Sequence, residues 1–225
     1  MSLRISQLSG FGKRGSEGPA VTLAADDGDY TTFSGTTTLA HAAVTSTGPQ
    51  TVIIVVVSAG TSSSRTLDSG TLDGNALNIV AQRQNQSSAD NVLVAVCTID
   101  GAQSGTLSLV FSGAMDSANA MATVLSFQDI QDLASANYTD GAIANATSID
   151  LTSYSDNENG CSVFGWGNDA VTACSWSPGE LTERFDADIG VIRASTASLV
   201  GSMTGTTVTA NGANNWNTIL GVTFR

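Results

Sequence analysis

The chain has 225 residues, of which 41% are hydrophobic and only 12% charged, with a formal net charge of −12 and a single lysine, Lys13. So acidic a body excludes nucleic-acid binding, which needs clustered Lys and Arg, and works against adhesion to an anionic membrane. The apolar residues stand in compact blocks rather than scattered, which excludes a disordered chain, and each block is too short to span a bilayer.

The first stretch, MSLRISQLSGFGKRGSEGPA, departs from the rest. It carries Arg4, Lys13 and Arg14, three of the eight basic residues, with Leu3, Ile5, Leu8 and Phe11 as sparse apolar anchors between glycines. It lacks the 7–15-residue apolar core of a secretory signal, so synthesis in a cytoplasm is expected. Three cysteines (Cys97, Cys161, Cys174) without CxxC spacing are expected as free thiols. The first convincing strand pattern follows Gly28, which predicts an extended arm over residues 1–28 and one domain over 29–225.

TVIIVVVS (51–58) is a continuous β-branched run, too crowded for a helix, and predicts a strand buried on both faces or at a sheet centre. In TLDGNALNIV (71–80), Asp73-Gly74 supplies the positive φ angles of a tight turn between two alternating runs, a hairpin signal. NVLVAVCTI (91–99), TLSLVFSG (106–113) and MATVLSFQDI (121–130) predict further strands at intervals of about a dozen residues. Residues 131–146, small and polar, read as a loop or crossover. TSIDLTS, GCSVFGWG, AVTACSW, ELTERF, IGVIRAS, ASLVGSM, TVTA and NTILGVTFR complete the list. A turn at Gly167-Asn168 would set Cys161 and Cys174 opposite each other, where a disulfide is geometrically feasible. Many short strands, dense turns and no convincing helix predict an all-β fold, a two-sheet antiparallel β-sandwich of jelly-roll type.

The succession DGNALNIV, TLSLVFSG, MATVLSFQDI, VFGWGND…CSWSPGELTERFD and a terminal WNTILGVTFR resembles β-sandwich proteins of tailed phages, phage-like gene transfer agents and environmental bacterial surfaces, which implies a virion or surface role. Leu181 stands where that pattern has a tryptophan after Pro178-Gly179. The resemblance spans about residues 37–225 and carries no catalytic residues; the reading it favours is a non-enzymatic virion protein, a capsid decoration protein, head spike or fibre subunit, expected as a homo-oligomer contacting other capsid or tail proteins. On that reading Arg4, Leu8, Phe11, Lys13 and Arg14 anchor the chain to the particle, the charges setting register and the apolar side chains supplying affinity.

Enzyme chemistry has little to build on. His41, the single histidine, lies in the run LAHAAV with no G-x-S-x-G elbow in the chain. Glu17, Glu158, Glu180 and Glu183 show no spacing that marks a carboxylate pair. No cofactor is expected; DDGD (Asp26, Asp27, Asp29) and DAD (Asp186, Asp188) are candidate loops for a structural calcium ion, although neither has EF-hand spacing. A carbohydrate-binding adhesin for host-surface glycan is the alternative function. Its expected contacts are Trp166 and Trp176, flanking a turn, while Trp216 in a terminal alternating strand is expected in the core.

Overall fold

A computed structural model describes residues 19–225 except 36, 60–63, 87–90, 115–117, 134–136, 152–158, 171 and 202–207. The described residues hold fifteen β-strands and no helix. In chain order they are β1 (Thr22–Gly35), β2 (Thr38–Thr45), β3 (Gln50–Ala59), β4 (Leu67–Leu72) and β5 (Asn75–Ala76). Then come β6 (Asn78–Gln86), β7 (Asn91–Asp100), β8 (Ser104–Phe111), β9 (Ala118–Gln128) and β10 (Asn137–Leu151). The last five are β11 (Cys161–Asn168), β12 (Ser175–Ser177), β13 (Thr182–Ile189), β14 (Ile192–Val200) and β15 (Val208–Phe224).

The strands form three antiparallel sheets. The central one has the order β1-β9-β3-β7-β6, and the smallest the order β2-β8-β4-β5. The largest runs β10-β15-β11-β14-β13, with β12 pairing the start of β15. The central sheet is packed on both faces. Ile53, Val55 and Val57 of β3 join Leu39, Leu107, Leu109 and Phe111 of the smallest sheet in one cluster. Val52, Ile54 and Val56 face the other way, into a cluster with Val163, Leu220, Val222 and Phe224 of the largest sheet. This is why TVIIVVVS is apolar without alternation: both faces of the strand are core. Each such Val or Ile is worth ~1.5–3 kcal/mol of burial, so β3 is the main apolar anchor of the stack.

The expected all-β antiparallel sandwich is observed, but as three layers rather than a two-sheet jelly roll. A two-layer reading leaves one face of β3 in water, which its sequence does not permit. The third layer depends on β11, whose side chains alternate between its two neighbours. Cys161 and Val163 point into the cluster with the central sheet, and Phe164 and Trp166 into a separate cluster with Ile149, Leu151 and Leu181. Gly165 and Gly167 continue the first face as bare backbone. A Cβ at Gly165 would lie 2.5 Å from Val94 Cγ1 and 2.9 Å from Ile54 Cγ2. One at Gly167 would lie 2.5 Å from Val92 Cγ1. The two glycines thus let the sheets approach closely.

Three local expectations change. Residues 22–28, assigned to the arm, belong to β1, which pairs β9 from Thr22↔Gln128 to Gly35↔Ala118, with Val21 buried beside it. The boundary placed after Gly28 therefore falls inside a strand, because the ladder to β9 supplies pairing that the polar sequence AADDGDY does not advertise. Residues 137–146, expected as loop, are the first part of β10, held by the long partner β15 despite their low strand propensity. The hairpin expected at Gly167-Asn168 is absent: β11 pairs β14 and β15 along its length. The Asp73-Gly74 turn is as expected, with φ of 53° and 79° and Leu72 paired to Asn75.

Candidate functional site

A cleft with a volume of about 600 Å³ lies at one end of the central sheet. Its making begins with a strap after β9. Asp129 takes a positive φ of 70°, which Asp tolerates better than most side chains, and turns the chain across the sheet end. Gln50, at the start of β3, then grips Ile130 from both sides of the peptide: Ile130 N–H donates to Gln50 Oε1 at 2.6 Å, and Gln50 Nε2 donates to Ile130 O. Gln131 N–H donates to Arg225 O at 2.7 Å. Leu133 O accepts from Thr98 Oγ1 at 3.1 Å and from Asn78 Nδ2 at 3.3 Å. Ile130 and Leu133 are buried in the core beneath, so the strap is fixed by both packing and hydrogen bonds.

Thr98, Ile99 and Leu133 form the floor. On the far wall, Asn75 Nδ2 donates to Gln103 Oε1 at 3.0 Å, and Gln103 Nε2 to Asp100 O at 3.4 Å. Gly101, with φ of 81°, makes the turn that brings Asp100 and Gln103 together, its N–H bonded to Pro49 O at 2.7 Å. Of the residues lining it, Asn75, Asp100 and Gln131 are exposed, and among the described residues the Asp100 carboxylate, the Gln131 side-chain amide and Asn75 Oδ1 are not taken up by hydrogen bonds within the protein. A second depression, lined by Pro49, Asp129 and Ile130, shares Gln50 and Asp100 with the first. The lining thus offers amides and carboxylates, with no Lys or Arg.

The two tryptophans expected at an exposed loop are placed otherwise. Trp166 is 0% exposed; its Nε1 donates to Asn217 Oδ1 at 3.1 Å, and its ring lies so close to Gly212 that a Cβ there would be 2.5 Å from Cζ2. No face of Trp166 is open to a sugar. Trp176 is half-buried, tilted on Phe164 at 6.1 Å, with Nε1 donating to Ser195 Oγ at 2.8 Å. Trp216, expected in the core, is only half-buried. The reversal follows from β11, where the flanking glycines aim Trp166 at the outer cluster rather than at a turn.

The anchoring set Arg4, Leu8, Phe11, Lys13 and Arg14, and Glu17 and Glu158, lie outside the described residues. The acidic loops are engaged within the protein. Arg193 Nε and Nη2 donate to the two oxygens of Asp186 at 2.8 and 2.6 Å, and Nη1 reaches Asp188 at 2.9 Å. Asp27 accepts from Thr47 N and Oγ1 at 3.1 and 2.6 Å and from Ser126 Oγ, while Asp26 pairs with Arg184 at 3.2 Å. Among the described residues no three His, Cys, Asp or Glu side chains are gathered as metal ligands.

Asp29 is different. Burial pushes its carboxyl up to about 6, against the lowering effect of a hydrogen bond with Thr123, and its Oδ1 is buried without a hydrogen-bond partner. Glu183 is raised too, by burial first and then by Asp186. The cysteines are free and buried, each thiol pushed up to about 12 by desolvation, so none is a ready nucleophile. His41 packs edge-on against Tyr30 with ring centroids 5.5 Å apart.

The strap had no sequence signal of its own: FQDIQDLAS could equally close in a helical turn, and residues 129–133 hold none. The cleft itself joins four separated stretches and has no motif. No protein-family model matches the chain, and no curated protein matches it in sequence.

Proposed function

We propose that the chain is a non-enzymatic structural protein of a phage or phage-like particle, a decoration, spike or fibre subunit held by its N-terminal segment. The observation that carries this reading is the charge reversal: a basic, glycine-punctuated leader with Leu8 and Phe11 precedes a strongly acidic body. The body supports it. Its conspicuous polar side chains, among them Gln50, Asp27, Arg193 and Asn217, hold its own backbone and loops. The thiols are buried, and the lone histidine packs on a tyrosine. A three-layer β-stack with an acidic surface suits a rigid projecting module, soluble and resistant to non-specific adhesion.

The leader is the part to test. Full-length protein and a variant lacking residues 2–18, which leaves β1 whole, are incubated with particles from the producing cells and sedimented. The full chain co-sediments and the variant stays in solution with an unchanged melting temperature. Equal co-sedimentation of both removes the arm from the account.

A second reading, an adhesin for host-surface glycan, is favoured by one observation, the hydrogen-bonding cleft at the end of the central sheet. On this reading the cleft takes the place of the Trp166 and Trp176 pair.

A further inference from the structure

We infer that the cleft between Asp100, Gln131 and Asn75 is a binding site for a neutral, hydroxyl-rich ligand, a saccharide of one or two rings. The inference deepens the adhesin reading and does not depend on the particle.

Size comes first. About 600 Å³ falls within the range of small-ligand pockets, and it admits a sugar ring or two. The chemistry then narrows the class. Asp100 offers acceptors only, the Gln131 amide offers both donors and an acceptor, and Asn75 Oδ1 is a further acceptor. Adjacent hydroxyls on a sugar are themselves donor and acceptor, so one can donate to Asp100 while its neighbour accepts from Gln131. Phosphate, sulfate and sialic-acid carboxylates are disfavoured, because Asp100 and Asp132 line the cleft and no cationic side chain does. Ala76, Ile99 and Leu133 supply a small apolar surface for the C–H face of a ring.

The site is also prepared. Four hydrogen bonds with the side chains of Gln50, Thr98 and Asn78 fix the strap that carries Gln131, and Asn75 and Gln103 brace the opposite wall. Little ordering therefore remains for binding to supply. Without an aromatic platform in the cleft, affinity for one sugar is low, and useful attachment requires several copies acting together.

The test uses full-length, isotope-labelled protein and follows the side-chain amides of Gln131, Gln103 and Asn75 and the backbone amides of 99–103 and 131–133 by NMR. Glucose, galactose and N-acetylglucosamine are titrated separately through the millimolar range, with inorganic phosphate and calcium chloride as contrasting probes. Saturable shifts at these amides with at least one sugar, and none with phosphate, are expected. Asp100→Ala and Gln131→Ala, both on exposed positions, should keep the melting temperature and each weaken sugar binding about tenfold, one hydrogen bond's worth. No response to any of the three sugars overturns the inference. So does a response to calcium alone, which would make this a cation site, or a sugar response unchanged in both variants. Sugar binding here without adhesion of the protein to host cells would keep the site and remove the adhesin reading.

Discussion

Replacing Asp29 with Asn should make the protein more stable at neutral pH, an unusual direction for a change inside a folded strand. Asp29 sits on β1, where its Oδ1 is buried without a hydrogen-bond partner and burial raises its carboxyl from 3.8 to about 6. Asp26 adds to the rise, while the Thr123 hydroxyl and Arg184 oppose it. The folded state therefore binds this proton more tightly than the unfolded state. Its contribution is fully present below pH 3.8, declines as pH rises towards 6, and is flat above. At ~1.4 kcal/mol per unit, the shift sets a ceiling near 3 kcal/mol. The side chain is only about half-buried, and screening reduces this to ~1 kcal/mol. Asn keeps the shape and an acceptor for Thr123 but carries no charge at any pH. Urea unfolding at pH 4, 5, 6 and 7.5 should show the variant ~1 kcal/mol more stable than the parent at pH 7.5, about 2–4 °C in melting temperature. The two should converge at pH 4. A variant less stable at pH 7.5, or one with the same decline between pH 4 and 6, would refute the reasoning.

Other outcomes follow from the packing. Gly165→Val places a branched side chain where even a Cβ meets Val94 and Ile54, and should cost ~1–3 kcal/mol or more by thermal or urea unfolding. Gln50→Ala strips both hydrogen bonds from Ile130 and should speed hydrogen exchange over 130–133, with a global loss of ~1–3 kcal/mol. Cys97, Cys161 and Cys174 are buried with raised thiols, so a thiol reagent at pH 8 should find none in the folded protein and three in urea. Two bridged cysteines in the unfolded protein would instead leave a count of one.

What could be read in advance depended on how local the determinant was. The β3 run declared its double burial because an unbroken Val/Ile block has no polar face to give to water. Asp73-Gly74 declared its turn because positive φ is a property of those two residues alone. The first part of β10, residues 137–146, did not, since it has little strand preference and is held by β15 more than sixty residues later, whereas TSIDLTS marked the end of the same strand. The tryptophans were misplaced for a related reason. Which face of β11 is outer depends on the central sheet filling the space beside Gly165 and Gly167, and only tertiary packing supplies that. The DAD segment carries no sign of its partner either, because Asp188 meets Arg193 through the register of the β13–β14 hairpin. The cleft was hidden most completely. Gln50, Asn75, Asp100 and Gln131 are ordinary polar residues on two different sheets and the strap after β9, and only the packing of these pieces brings them together.

The proposed role as a structural part of a phage-like particle, attached through the leader, is checked by electron cryo-microscopy of particles from the producing cells, with and without the gene's product. Added density in a regular surface array that fits the three-layer body, with the β1 end turned towards the particle, is expected. Indistinguishable particles in the two preparations, with all of the protein in the soluble fraction, would contradict it.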